Sequence, residues 1–324
     1  MRAVLLSLEY LRSKDAEADY VALSKAGITR DQVEVSLERF LEILKFSPDA
    51  EVAAIRLMDE FDLFKSVGRD GRGRVKFTGY FQPVYRASRS KGGPYQYPIY
   101  QPPPDFQSWK SPHPTRQSLE GYSGLGRPTS PAHGYELAWF RNRYEAFMVH
   151  LQGSAILELP EGGRMSVGYA AATRYPFTGI SAQYLRDRGL GWVQLGSYFR
   201  QYPDELNNYL VRNNRFVFFK ENPSSDPIGS LGVPVVSGRS IATDKSRMPP
   251  GALALIRTSL PSRDVRGKLV SKPTTRFVLD HDTGSAIKGA GRVDLFMGSG
   301  PEAKETASQV FGDGELYYLM LKRA

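Results

Sequence analysis

The sequence predicts a mainly β protein with helices gathered at its N-terminus and a small barrel at its C-terminus. Three observations carry that expectation. Apolar residues recur at helical spacing from residue 1 to about residue 65. From Pro227 onward, short apolar runs alternate with glycine and proline turns. Between them lies a stretch of different composition. Nine of the chain's 22 prolines fall in residues 92–134, among Tyr95, Tyr97, Tyr100, Phe106, Trp109 and Tyr122.

In chain order, Thr29 and Gln32 form a T-x-x-Q capping box. Val33, Leu37, Phe40, Leu41 and Leu44 then follow at helical spacing. Ser47-Pro48 opens a further helix, with Ile55, Met58 and Phe61 on one face. "GRDGRG" (68–73) is a turn, and "VKFTGYFQPVY" alternates as a strand up to Pro83. The proline-rich stretch reads as an ordered loop packed on a domain, because its aromatic rings need burial. "ELAWFRNRYEAFMVHL" reads as a helix. "AILEL" and "RMSVGY" read as strands joined at Gly162-Gly163. "SYFRQYPDELNNYLVRNN" is helical but broken at Pro203, and "RFVFFKE" is a strand. The C-terminal strands are "IGSLGVPVV", "GALALIRTSL", "RFVLDHD", "RVDLFMG" and "GELYYLMLK", with one helix beginning at Pro301.

A chain of 324 residues is long enough for two domains, and 41% apolar with 24% charged residues fits a globular protein. The net charge of +9 favours an anionic partner, but the basic residues are scattered. No nucleic-acid-binding fingerprint appears, so no nucleic acid partner is expected. With no cysteine, disulfides, thiolate metal sites and a cysteine nucleophile are excluded. The apolar start of "MRAVLLSLEYL" is interrupted at Glu9, so no signal peptide is expected in this sequence. No segment approaches the roughly 20 apolar residues of a membrane helix, so no membrane span is expected.

The candidate chemistry narrows by elimination. There is no Walker motif and no G-x-G-x-x-G after a strand, and hence no nucleotide cofactor. His113, His133, His150 and His281 lack metal-ligand spacing, and the "DHD" run at 280–282 lacks an EF-hand pattern, so no metal is expected. In a strand, Asp280 and Asp282 share one face while His281 points the other way. No G-x-S-x-G elbow supports a serine hydrolase. Carboxylates remain. Asp244, Asp282 and Asp294 all lie beside glycine or proline turns in the all-β part. A carboxylate at the end of a buried strand loses water, its charged form is disfavoured, and its pKa rises. Glycoside cleavage needs such an acid to protonate the leaving oxygen.

At these residues the chain resembles the membrane-bound lytic transglycosylase A (MltA) family with its C-terminal three-aspartate (3D) domain. "GRSIATD", "PPGALALI" and "DTGSAIKGAGRVDLFMGSG" match the latter in order, with its aspartates at Asp244, Asp282 and Asp294. Upstream, "FTGYFQPVY", "YPIY", "ELAW", "LQGSAILELPEGGRMSVGYA" and "NNRFVFFKE" look like the family's other blocks, so the match runs from about residue 66 to 322. Ser285 stands where the family usually has a glycine. Asp280 and His281 stand where uncharged residues are common, and Asp280 would add a carboxylate near the site.

The resemblance implies a double-psi β-barrel built from residues 1–83 and 225–324, with the N-terminal helices. A second, glycan-binding β-domain over 84–224 would be inserted into it, with a groove between. It implies a peptidoglycan lytic transglycosylase, which cleaves the β-1,4 bond between N-acetylmuramic acid and N-acetylglucosamine without water and leaves a 1,6-anhydro sugar. Asp294 would be the single acid and base. Asp282 and Asp244 would raise its pKa by like-charge repulsion and hold the loops. Thr78, Gln152, Gly153, Ser154 and Gly284 would contact sugar. No cofactor is implied. The chain would act as a monomer on glycan strands in the periplasm, at the cell wall or outer membrane. Its export signal would lie outside this sequence, and a lipid anchor on the precursor stays open. Two other readings compete: a carbohydrate-binding protein without catalysis, and a water-using glycoside hydrolase.

Overall fold

The structure is a computed structural model that describes residues 1–25, 27–179, 182–190, 194–224 and 226–322. The chain divides into two units: Met1–Phe81 with Ile228–Gly298 and Glu302–Ala324, and Gln82–Pro227 with Ser299–Pro301.

The first unit opens with helices α1 (Arg2–Leu11), α2 (Lys14–Lys25), α3 (Arg30–Phe46) and α4 (Ala50–Glu60). Thr29 caps α3 by accepting a hydrogen bond from the Gln32 amide, as its capping sequence predicts. Val33, Leu37, Phe40 and Leu41 are buried along one stripe, whereas Leu44 is exposed. Helix α4 departs from expectation. Asp49, not Ser47, is its cap, accepting from the Val52 amide. The later start turns Ala53 and Leu57 inward and leaves Ile55 and Met58 63% and 67% exposed. Phe61 is buried, but as the first residue of strand β1 (Phe61–Lys65), which the helical pattern had absorbed. Strand β2 (Val75–Gln82) follows the 68–73 turn.

The second unit holds a six-stranded sheet. In chain order come β3 (Val84–Ser88), β4 (Tyr97–Tyr100), α5 (Arg116–Glu120), β5 (Glu136–Phe140), α6 (Arg143–Gln152), β6 (Ser154–Glu158) and β7 (Arg164–Ala172). Helices α7 (Ala182–Asp187), α8 (Leu195–Gln201) and α9 (Pro203–Leu210) precede β8 (Val217–Asn222). The sheet order is β4-β5-β3-β6-β7-β8. "ELAWF" is strand rather than helix: it pairs with β4, and Asn142 starts α6 only afterwards by capping the Glu145 amide. Pro203 divides α8 from α9 and stands at the first position of α9, where its missing N–H costs nothing. Within residues 92–134, Tyr100, Phe106 and Leu119 are buried with Phe216 and Phe218, so this stretch is packed. Beneath it Glu120 accepts from Arg116 and Arg143. Burial pushes the Glu120 carboxyl up, but the two guanidiniums outweigh it and hold the carboxyl at about 2.

The chain then returns to the first unit. "IGSLGVPVV" makes no strand, only an Ile228–Pro234 bridge around the Gly232 turn, because proline cannot extend a ladder. Strands β9 (Ser240–Ala242), β10 (Leu253–Arg263), β11 (Leu269–Asp282) and β12 (Arg292–Ser299) follow, then α10 (Gly300–Gln309) and β13 (Phe311–Leu321). Strands β2, β13, β10, β11, β9 and β12 join in that order, and β12 closes on β2. This six-stranded barrel leaves no open edge within its ring, and β1 adds to β13 outside it. The helices and barrel share one core, with Leu37, Phe40, Phe61, Phe77, Ile241, Val293, Leu295 and Leu316 at its centre. Gly79 on β2 lets the chain pass close to α10, since a Cβ there would lie 2.8 Å from the Ala307 carbonyl oxygen.

Leu57→Ala should lower stability by about 2–5 kcal/mol, and Met58→Ala by less than about 0.5 kcal/mol. Urea unfolding of both variants checks the orientation of α4; equal losses would contradict it.

Candidate functional site

Strand β9 is three residues long and runs between β11 and β12. Its last residue, Ala242, registers with Asp282 on parallel β11 and with Asp294 on antiparallel β12. Strands pack about 4.8 Å apart, so the two aspartates stand about 10 Å apart at the backbone, one on each side of β9. Asp244 follows two residues after Ala242.

Asp294 lies between Val293 and Leu295, both fully buried, and its side chain is 20% exposed. Among the described residues its one side-chain partner is Arg292, whose Nη2 stands 3.4 Å from Oδ1. Burial raises the carboxyl to about 6. The Arg292 and Lys76 charges oppose that rise and the Asp282 charge adds to it. The guanidinium of Arg292 also donates to the Thr78 hydroxyl oxygen at 2.8 Å. Thr78 thus keeps its own proton free to donate.

Asp282 is held differently. Its Oδ2 accepts from the Tyr80 hydroxyl at 2.9 Å, and its Oδ1 accepts from the amides of Ser230 and Thr283 at 2.9 and 2.8 Å. Burial raises its pKa, against these three donors and the Lys245 charge. Asp244 accepts from the Gly289 amide at 2.7 Å and from the amide and hydroxyl of Ser246. Burial pushes its carboxyl up, yet these donors and Lys288 hold it below the ordinary value. Asp244 therefore ties the loop after β9 to the 283–291 turn. The charges acting on Asp294 are those of Arg292, Asp282 and Lys76, with burial the larger cause. Like-charge repulsion is thus secondary, and it comes from Asp282 rather than Asp244.

The "DHD" run corrects a second expectation. The β11–β9 register shifts between Asp280 and Asp282, so the regular alternation of a strand is broken there. Asp280 is fully buried, paired with Lys245 and accepting from Thr243 and Tyr318 at 2.6 Å each. It is not among the charges that act on Asp294. The His281 ring, also fully buried, shares hydrogen bonds of 2.8 Å with Ser7 and Ser240, fastening α1 to the barrel.

Gly284 sits in the turn after Asp282, where a Cβ would meet the Ile287 side chain at 3.0 Å. Gln152, Gly153 and Ser154 belong to the second unit. Gly153 ends α6 in the left-handed region (φ 77°), and Ser154 begins β6 opposite Gly168. Among the described residues no group of three or more acidic or histidine side chains is placed to hold a metal ion.

Sequence reasoning missed Lys76, Tyr80 and Arg292. The signal was present. Lys76 and Tyr80 lie two residues on either side of Thr78, and Arg292 lies two before Asp294, so strand alternation puts each pair on one face.

Residues 76–220 match the MltA specific insert domain and residues 239–320 the 3D domain. The membrane-bound lytic murein transglycosylase A of Escherichia coli K12 is 30% identical over 266 residues, covering 80% of this chain and 69% of that protein. The Buchnera aphidicola homolog is 29% identical over 252 residues, covering 76% and 66%. The crystal structure of E. coli MltA with bound chitohexaose superposes with a TM-score of 0.73 at 26% identity, over 99% of this chain and 90% of that one. A membrane-bound lytic murein transglycosylase from Agrobacterium tumefaciens gives 0.71 at 27%, over 91% and 85%.

Burial of Asp294 has a stability signature. Folded, the carboxyl keeps its proton to about pH 6; unfolded, it releases it near 3.8. Between these values the folded chain binds more protons, so this group's contribution is fully present below pH 3.8 and is lost as pH rises through 6. Asp294→Asn should therefore stabilise the protein at pH 7–8, by on the order of 3 kcal/mol at most, and should have little effect near pH 3.5. Thermal unfolding across that range checks it; a variant less stable at pH 8 would contradict the burial penalty.

Proposed function

The chain belongs to the membrane-bound lytic murein transglycosylase A family, and from that premise we propose that it cuts peptidoglycan glycan strands with Asp294 as its single acid and base. The chain is an enzyme of the lytic murein transglycosylase class. The finer reading is that it cleaves the β-1,4 bond between N-acetylmuramic acid and N-acetylglucosamine and forms a 1,6-anhydro ring. Protonated Asp294 gives its proton to the glycosidic oxygen as the bond from C1 breaks. The resulting carboxylate takes the proton from the muramyl C6 hydroxyl, whose oxygen bonds to C1. Atoms balance without water, and Asp294 returns to its starting state.

The observation that carries this reading is the contrast between two carboxylates registered on Ala242. Asp294 is pushed up to about 6, which suits an acid working near neutral pH. Both oxygens of Asp282 are occupied by donors from Tyr80, Ser230 and Thr283. A carboxylate so engaged is poorly suited to activate water, which a two-carboxylate hydrolase requires. Asp282 serves to orient Tyr80 and to raise the pKa of Asp294, and Asp244 serves to hold the turn. Thr78 and the backbone at Gly284 are sugar contacts of the barrel unit. Gln152, Gly153 and Ser154 are sugar contacts of the inserted unit, which binds glycan over about residues 84–224. The six-stranded ring, with its parallel β9–β11 pair, is read as a double-psi barrel. The protein acts as a monomer at the cell wall, in the periplasm or on the outer membrane.

Mass spectrometry of digested peptidoglycan tests the reaction. Anhydromuropeptides are expected; reducing ends would indicate hydrolysis, and intact strands a binding protein. Asp294→Asn should keep the fold and lower turnover by about 10²- to 10⁴-fold. Asp282→Asn removes a charge that raises the Asp294 pKa, so the alkaline limb of its pH profile should move to lower pH. More than about a tenth of wild-type turnover in Asp294→Asn, beyond the low end of that range, would show that the acid lies elsewhere.

A further inference from the structure

A cavity of about 440 Å³ opens in the barrel unit, with Arg292, the side-chain partner of Asp294, in its wall. Its lining includes Arg69, Lys76, Arg247, Lys288 and Arg292, and no acidic residue. The remainder is small or backbone-rich, with Gly289 and Gly291 among it. Close approach builds this wall: a Cβ on Gly291 would lie 2.4 Å from the Arg69 amide nitrogen. Three of the five cations are already engaged. Arg69 donates to both oxygens of Asp313 at 2.7 Å, and Lys76 lies 4.6 Å over the Phe311 ring. Arg292 reaches Thr78 and Asp294 with Nη2, while its buried Nε has no partner among the described residues. The exposed side chains of Arg247 and Lys288 make no ion pair among the described residues.

Five cations around one concave wall repel one another, and Arg247 and Lys288 have no ion-pair partner among the described residues, Lys288 acting only through its charge on Asp244. We propose that this cavity is an anion subsite that receives the carboxylates of the stem peptides borne by the glycan strand, so that the enzyme reads peptide as well as sugar. The inference rests on the proposed action on peptidoglycan. It adds a substrate determinant that the reaction does not require, because acid, base and nucleophile all lie elsewhere. Placement also couples binding to chemistry. Lys76 and Arg292 line the cavity and are the two cations that hold the Asp294 carboxyl down. A carboxylate bound between them offsets their charge and lets the acid keep its proton to higher pH. A peptide-bearing strand would thereby prepare the acid that cuts it.

The test compares three substrates: native peptide-bearing strands, the same strands with their carboxyls methyl-esterified, and peptide-free strands. Wild-type kcat/KM should favour native over esterified strands by about tenfold, the worth of two ion pairs at a partly exposed site. That preference should shrink as salt rises. Native strands should also move the alkaline limb of the kcat profile to higher pH than peptide-free strands do. In Arg247→Ala/Lys288→Ala the native-to-esterified ratio should fall towards one. Esterification spares phosphate, so a preference that survives it, yet is lost on adding inorganic phosphate, would assign the cavity to phosphate and overturn the proposal. Equal wild-type rates on native and esterified strands would overturn it whether or not the double variant folds. Absence of anhydro-ended product from all three substrates would instead remove the reaction on which the inference stands.

Discussion

The site depends on how β9 is held. Three residues, Ser240–Ala242, all buried, bridge a parallel neighbour and an antiparallel one. Parallel pairing cannot be made by a tight hairpin. The chain therefore leaves β9 through the Asp244 loop, traverses the long β10–β11 hairpin, and returns beside its starting point. That return brings Asp282 to one side of Ala242, and the following turn brings Asp294 to the other. Closure of β12 on β2 then places Tyr80 on Asp282, and Thr78 on the Arg292 that contacts Asp294. A slip of one residue in β9 would turn its own three side chains over and take Ala242 out of register with both aspartates.

The same residue type meets different fates within this frame, and the donors decide which. Asp244 has donors from Gly289 and Ser246, and its pKa falls. Asp282 also has three donors, yet burial still raises it. Asp294 has a single side-chain contact of 3.4 Å among the described residues, and burial raises it to about 6. Asp280 is paired with Lys245 and takes no part. Carboxylates whose environments push their pKa values apart are the pattern by which acids are recognised. Here the separation comes mainly from water exclusion and donor number rather than from repulsion among acids.

Much of this was legible in the sequence. The barrel was visible in short apolar runs between glycine and proline turns, and the α3 cap in Thr29 and Gln32. The carboxylates at strand ends were visible beside Gly284 and Gly291. What escaped was set by tertiary pairing. Strand β9 is too short to show alternation, and β1 continues a helical apolar pattern. "ELAWF" has no periodicity that separates it from the helix behind Asn142. The bulge at Asp280–Asp282 is a property of the β11–β9 register, so alternation along one strand could not show it. Tyr80 and Arg292 were within reach of reasoning, since each lies two residues from a position already singled out.

The most direct measurement is a site-resolved titration of the Asp294 carboxyl carbon by ¹³C NMR in the intact protein. The structure predicts a midpoint of about 6, set by burial against the pull of Arg292 and Lys76. A midpoint at or below the ordinary value of 3.8 would mean that Asp294 is ionised at working pH and cannot be the acid.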